Sequence, residues 1–204
     1  MPIELYLAYV LACVVIVIVP GPIVTLVVAN SVAHGSRAGL INIAGAQLGL
    51  ATMIGIVLVG LASLIATMGV WFDYVRLAGA AYLVWLGIKF FRSPGTLGGA
   101  AKVTPPRVGF FWQGFLVLMA NPKALLLFGA FIPQFVDPEG DYVAQVILLG
   151  VTAMAIAGFF DSMYALLAGR ARTWLSPPRI KMVSRLSGLF LMGGGVWLAL
   201  ARGR

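Results

Sequence analysis

At 204 residues, 61% of them hydrophobic and 10% charged, with a mean hydropathy of +1.03, the chain carries less than half the charge of an ordinary soluble domain. That excludes a water-soluble globular domain and reads as a polytopic membrane protein. Fourteen Lys and Arg against six Asp and Glu give a net charge of +8, but the basic residues sit in short tracts between apolar segments, where they report membrane orientation and argue for no nucleic-acid partner.

Segments near the ~20 residues that cross a bilayer appear six times. The first, 5–32, contains Cys13, the one cysteine of the chain, so no intrachain disulfide or CxxC pair can form. The stretch VLAC ending there mimics a lipoprotein box. It follows no basic region and the apolar run continues past it, so no cleaved signal is expected. VPGPIVTL (19–26) then interrupts the span. Pro20 ends one half, Gly21 is an acceptable cap, and Pro22 suits the first position of a new half-helix, 22–32. A short loop holds His34, expected to be solvated, and Arg37.

The second span, 39–66, carries Gly39, Gly45, Gly49, Gly55 and Gly60, a close-packing seam. The third, 71–91, has RLAG at 76–79 and Trp-Leu-Gly at 85–87. RSPGTLGGAAKVTPPRVG (92–109) reads as a basic surface loop.

The fourth span, 109–135, is interrupted by ANPKALLL (120–127). Asn121 is a good N-cap and Pro122 a good first helical residue, so a half-helix over 122–135 is expected there. Lys123 follows, an intramembrane cation beside a helix N-terminus that already carries about half a positive charge. It needs an anion close by. An acidic loop, VDPEGD (136–141), leads to the fifth span, 142–168, and to Asp161, the one acid well inside a span. Asp161 is expected ~10 Å below the surface at ~1.5 Å per residue. Set between the burial cost of its charge and the pull of a nearby lysine, it is a proton-carrier candidate. The bland alternative is a static Lys123–Asp161 pair that fixes helix register. Tyr164 lies one turn from Asp161 on the same face. RARTWLSPPRIKMVS (170–184) reads as a second surface loop, and the sixth span, 184–201, begins with RLSG (185–188). Thr25, Asn30, Asn42, Gln47, Tyr82 and Gln113 are weaker polar candidates, each better suited to an interhelical hydrogen bond than to a ligand.

Ten basic residues lie at or beside 33–38, 89–108 and 169–185, whereas 136–141 has three acids and no base. The positive-inside rule therefore predicts those basic loops cytoplasmic and both termini extracytoplasmic, although Arg202 and Arg204 point the other way. The halves also match in order: a proline break in the first span of each, RLAG against RLSG, and a later Trp-Leu pair. The expected fold is an all-α integral membrane domain of six helices in two inverted three-helix repeats, with helices 1 and 4 broken at prolines. Repeat one is 1–92, a cytoplasmic loop covers 93–108, and repeat two is 109–204. Both half-helix N-termini then converge at the membrane centre, where they and Lys123 form an anion trap.

PGP at 20–22, GSRAGLINIAGAQLGL (35–50), LAGAAYLVWLGIKFFR (77–92), NPKALLLFGAFIPQFV (121–136) and YALLAGRARTWL with RLSGLFLMGGGVWLAL resemble the LysE/RhtB family of amino-acid exporters over nearly the whole chain. The resemblance implies a six-helix inner-membrane exporter of amino acids or close derivatives, driven by protons or membrane potential. It carries the family's breaks onto Pro20, Gly21 and Pro22 and onto Asn121, Pro122 and Lys123, and its fifth-helix acid onto Asp161. The expected substrate site comprises those two breaks with Thr25, Tyr82 and Tyr164, and Asp161 couples protons. Expected partners are the amino acid, protons, the bilayer and, in a homo-oligomer, further copies; no cofactor is expected. An enzyme would need a motif such as HExxH, which the chain lacks. A metal-ion exporter, the nearer rival, would want several acids, His or Cys in the spans.

Overall fold

Without water to bond, a backbone inside a bilayer must satisfy itself, and a helix does so segment by segment. The computed structural model describes residues 1–18, 20–58, 69–92, 105–137, 139–171 and 177–200, and those residues form helices and turns with no strand. Helix α1 is Ile3–Ile18 and α2 is Pro22–His34, bent by 49° to each other. Pro22 opens α2 on an extended Gly21, as its fixed φ favours. One residue, Gly35, joins α2 to α3 (Ser36–Leu58), and its φ of 92° is a conformation that side chains resist.

Helix α4 is Gly69–Phe91, α5 is Gly109–Met119 and α6 is Pro122–Leu126. The chain continues from α6 through a wider π-helical turn, Leu127–Phe131, and a tighter 3-10 turn, Ile132–Phe135. Helix α7 is Tyr142–Ala171 and α8 is Pro177–Leu200. Among the described residues α3 and α7 are each long and apolar enough to cross a membrane, and α1 with α2 is so as a bent pair. The other three expected spans correspond to α4, to α5 with α6, and to α8.

Helix α3 is packed among α2, α5 and α7, while α4 lies mainly on α8. These contacts are backbone-close. A Cβ added to Gly45 would strike the Phe111 carbonyl, and one added to Gly114 would strike Asn42. Gly87 and Gly188 face each other in the same way where α4 meets α8. Leu26, Leu83, Leu149, Ile132 and Leu191 fill the centre, whereas Leu7, Leu11 and Val15 leave an exposed apolar stripe along α1. That inversion suits an outer solvent of hydrocarbon.

The loops gather at two ends. At one, the Met1 ammonium lies 3.9 Å from the Asp137 carboxylate, and the Tyr142 hydroxyl donates to the Val57 carbonyl at 3.1 Å. At the other, His34 packs edge-on against Phe110 with ring centres 5.0 Å apart, and Gly169 abuts Ser36.

Three expectations need correction. The half-helix over 122–135 is helical but not uniform; Pro133 has no N–H to give the carbonyl four residues back, so a straight α-helix is unavailable through it. Helix α8 begins at Pro177, inside the segment read as a loop, because proline stands well at a helix's first turn. His34 is half-buried against Phe110 and is not a solvated loop residue. Gly60, the end of span two at 59–66, loop residues 93–104 and 172–176, and the C-terminal 201–204 lie outside the described residues.

Candidate functional site

The two proline breaks meet. Asn121 caps α6 with its side chain, accepting from the Lys123 backbone N–H at 3.1 Å, and this fixes Lys123 at the second helical position. The lysine side chain then crosses to the other break. Its stem passes Gly21, where an added Cβ would sit 3.4 Å from Cδ, and its Nζ reaches the Val17 carbonyl at 3.4 Å. Tyr164, on α7, donates its hydroxyl to the adjacent Ile18 carbonyl at 3.0 Å. Val17 and Ile18 end α1, so neither carbonyl has an intrahelical donor, and together they carry the negative end of its dipole. A cation placed unfavourably at one helix N-terminus thus delivers its charge to another helix's C-terminus.

Beside this crossing is a cavity of about 50 Å³. Its wall is apolar, from α1, α2, α3, α5, α6 and α7, with four polar exceptions: Gln47, Asn121, Lys123 and Asp161. Asp161 is only 5% exposed, and among the described residues none donates a hydrogen bond to it. Lys123 lines the same cavity. Helix α7 runs on to Ala171, ten residues past Asp161 (171 − 161), so the acid lies ~15 Å from that helix end at ~1.5 Å per residue. One probe-sized water needs roughly 10–15 Å³, so the cavity holds a few waters and is smaller than an amino acid.

The other candidates separate. Thr25 is buried in the first turn of α2, and Pro20 is exposed beside the break. Tyr82 stacks on Trp85 at 5.9 Å on α4 and is not among the residues lining the cavity. Asn30, Asn42 and Gln113 form a buried interhelical network towards the His34 end: Asn30 Nδ2 donates to Asn42 Oδ1 at 2.7 Å and to Gln113 Oε1 at 2.9 Å, while Asn42 Nδ2 donates to the Phe110 carbonyl at 2.6 Å. Gln47 does two things. It donates to the Met154 carbonyl at 3.0 Å and also lines the cavity. The Val17 and Ile18 carbonyls escape a side-chain reading altogether, and the only signal for them is the helix end that Pro20 imposes.

A sequence model of the LysE type translocators matches residues 14–202. The chain is 34% identical over 204 residues to the homoserine/homoserine lactone efflux protein of Salmonella typhi, covering 99% of each. It is 33% identical to an uncharacterized membrane protein of Vibrio cholerae serotype O1, with 99% and 100% covered, and 30% identical over 199 residues to the leucine efflux protein of Salmonella typhi, with 95% and 94% covered. No solved structure matches.

Proposed function

The chain belongs to the LysE type translocator family, and we propose that it exports amino acids or close derivatives through the cavity between its two broken spans. One observation carries the placement: Lys123 and Asp161, the deep cation and the deep acid, face one cavity at the junction of both breaks. A zwitterion offers a carboxylate to the N-termini of α2 and α6 and to Lys123, and an ammonium to Asp161 and the α1 carbonyls. The relatives' cargoes, homoserine, its lactone and leucine, share that α-ammonium. Pro20, Gly21, Pro22, Asn121, Pro122 and Lys123 form the substrate site in this reading, with Thr25, Tyr82 and Tyr164 reached as it opens.

The finer architecture we propose is six spans in two inverted repeats, 1–92 and 109–204, in the inner membrane with both termini outside. The packing of α4 on α8 and of α3 on α7 supports it, because each joins equivalent helices of the two halves. A cavity too small for an amino acid implies movement, and rocking of α1–α2 against α6 would enlarge it. Asp161 takes a proton from outside and yields it inside in exchange for substrate. Uptake of radiolabelled leucine and homoserine into inverted vesicles tests the proposal. Accumulation should require the protein and grow with an acid-inside gradient. Equal uptake with and without the protein would end the export reading, and indifference to the gradient would end the antiport.

A further inference from the structure

A positive charge already rests where the substrate's ammonium is expected. Lys123 Nζ lies on the Val17 carbonyl at the end of α1, and Val17, Lys123 and Asp161 line one cavity. The Asp161 carboxylate, 5% exposed, accepts no hydrogen bond from a described residue, so an acceptor set for an ammonium stands beside that contact. The neighbouring Ile18 carbonyl accepts from Tyr164 at 3.0 Å and the Val17 carbonyl from Lys123 at 3.4 Å, so an ammonium arriving at Val17 meets a cation already in place. The lysine stem crosses the break beside Gly21, where an added Cβ would meet its Cδ at 3.4 Å, an ordinary contact distance.

We propose that the Lys123 ammonium is a tethered stand-in for the ammonium of the substrate: it occupies the Val17 carbonyl when the site is empty and yields that place when a substrate binds. The inference rests on the export reading. Its physical basis is that two cations cannot share one carbonyl without repulsion. A free amino acid compensates, since its carboxylate draws the displaced lysine back towards the start of α6, where Lys123 is rooted. A ligand with an ammonium but a blocked carboxyl must evict the lysine and offers it nothing in return. Lys123 therefore discriminates for the carboxylate twice, by attracting it and by penalising ligands that lack it.

The signs of the effects distinguish this from other roles. Calorimetric titration of purified native protein and Lys123→Met with leucine, leucinamide, homoserine and homoserine lactone is the test. In Lys123→Met, leucine and homoserine should bind more weakly, while leucinamide and the lactone should bind about two- to tenfold more tightly, the range of one net hydrogen bond no longer displaced. Unchanged binding of the blocked ligands would leave a carboxylate site without the stand-in, and weaker binding of all four would make the lysine structural; either overturns the proposal. Should Lys123→Met not fold, the native chain still decides. With 15N-lysine and 13C-carbonyl valine, solid-state NMR should show a Lys Nζ–Val carbonyl contact in the empty protein that is lost on saturation with leucine. Persistence of the contact would refute the exchange. Failure of the native protein to transport leucine or homoserine in vesicles would instead defeat the export reading beneath it.

Discussion

At the scale of the residue, the chain keeps two kinds of buried polarity apart. Asp161 faces a cavity, whereas Asn30 is spent on its neighbours. Asp161→Asn preserves shape and removes the titratable group. Export driven by a pH gradient should stop while counterflow of labelled for unlabelled substrate partly survives; normal gradient-driven export by the variant would exclude Asp161 as the proton carrier. Asn30 supplies one NH₂ to two acceptors, Asn42 Oδ1 and Gln113 Oε1. Asn30→Ala strands both acceptors and should cost about 1–3 kcal/mol of stability. Asn30→Asp should cost more, because it sets a carboxylate against two oxygens, and melting of the two variants in detergent gives the order. A network that only fills space would rank them the other way. How much of this the sequence disclosed follows from chemistry: Lys123 and Asp161 stand out because charge in hydrocarbon is expensive. What they touch did not stand out. At Val17 the lysine meets a main-chain carbonyl, which any residue type at position 17 would supply.

Elements were legible wherever backbone chemistry speaks through a particular side chain. Pro22 and Asn121–Pro122 mark the starts of α2 and α6, and both stand where the sequence set them. The change of winding after Leu126 was not legible, since Pro133 forbids a straight helix without dictating which irregular turn replaces it. The start of α8 was missed because Pro177–Pro178 signals a loop and a helix N-terminus equally well. The glycines of α3 can be sorted by their surroundings. Gly45 and Gly49 meet Phe111 and Leu118, whereas a Cβ on Gly55 would meet nothing within 4 Å. Gly45→Ala must push α5 away at its backbone and should destabilise by about 1–3 kcal/mol or prevent folding, as should Gly114→Ala from the other side. Gly55→Ala should be neutral or gain about 0.4–1 kcal/mol, the usual return for removing chain entropy at an open helical site. Thermal midpoints of the three purified variants check this, and a loss at Gly55 equal to that at Gly45 would show that the seam is not set by backbone contact.

Over the whole molecule, charge and contact converge on one arrangement by independent routes. The Met1–Asp137 and Tyr142–Val57 contacts gather the N-terminus, the end of α3 and the start of α7 at one end; His34–Phe110 and Ser36–Gly169 gather the opposite loops. The first end carries Asp137, Glu139 and Asp141, and the second carries Arg37, Arg107 and Arg170. Packing fixes which loops share a side, and composition alone says which side is which, because translocation disfavours Lys and Arg in short loops. Accessibility in cells therefore tests the proposed orientation directly. The native chain offers a clean background, since Cys13, its one cysteine, is fully buried between α1 and its neighbours. Glu139→Cys and Arg107→Cys both replace exposed residues, one at each end. With a membrane-impermeant maleimide on intact cells, Glu139→Cys should label and Arg107→Cys should not; after permeabilisation both should. Arg107→Cys also tests the charge rule itself, since nine of the ten basic residues assigned to that side remain (10 − 1), too many for one substitution to reverse the chain. Labelling of Arg107→Cys alone in intact cells would invert the molecule, and with it the proton direction proposed for Asp161.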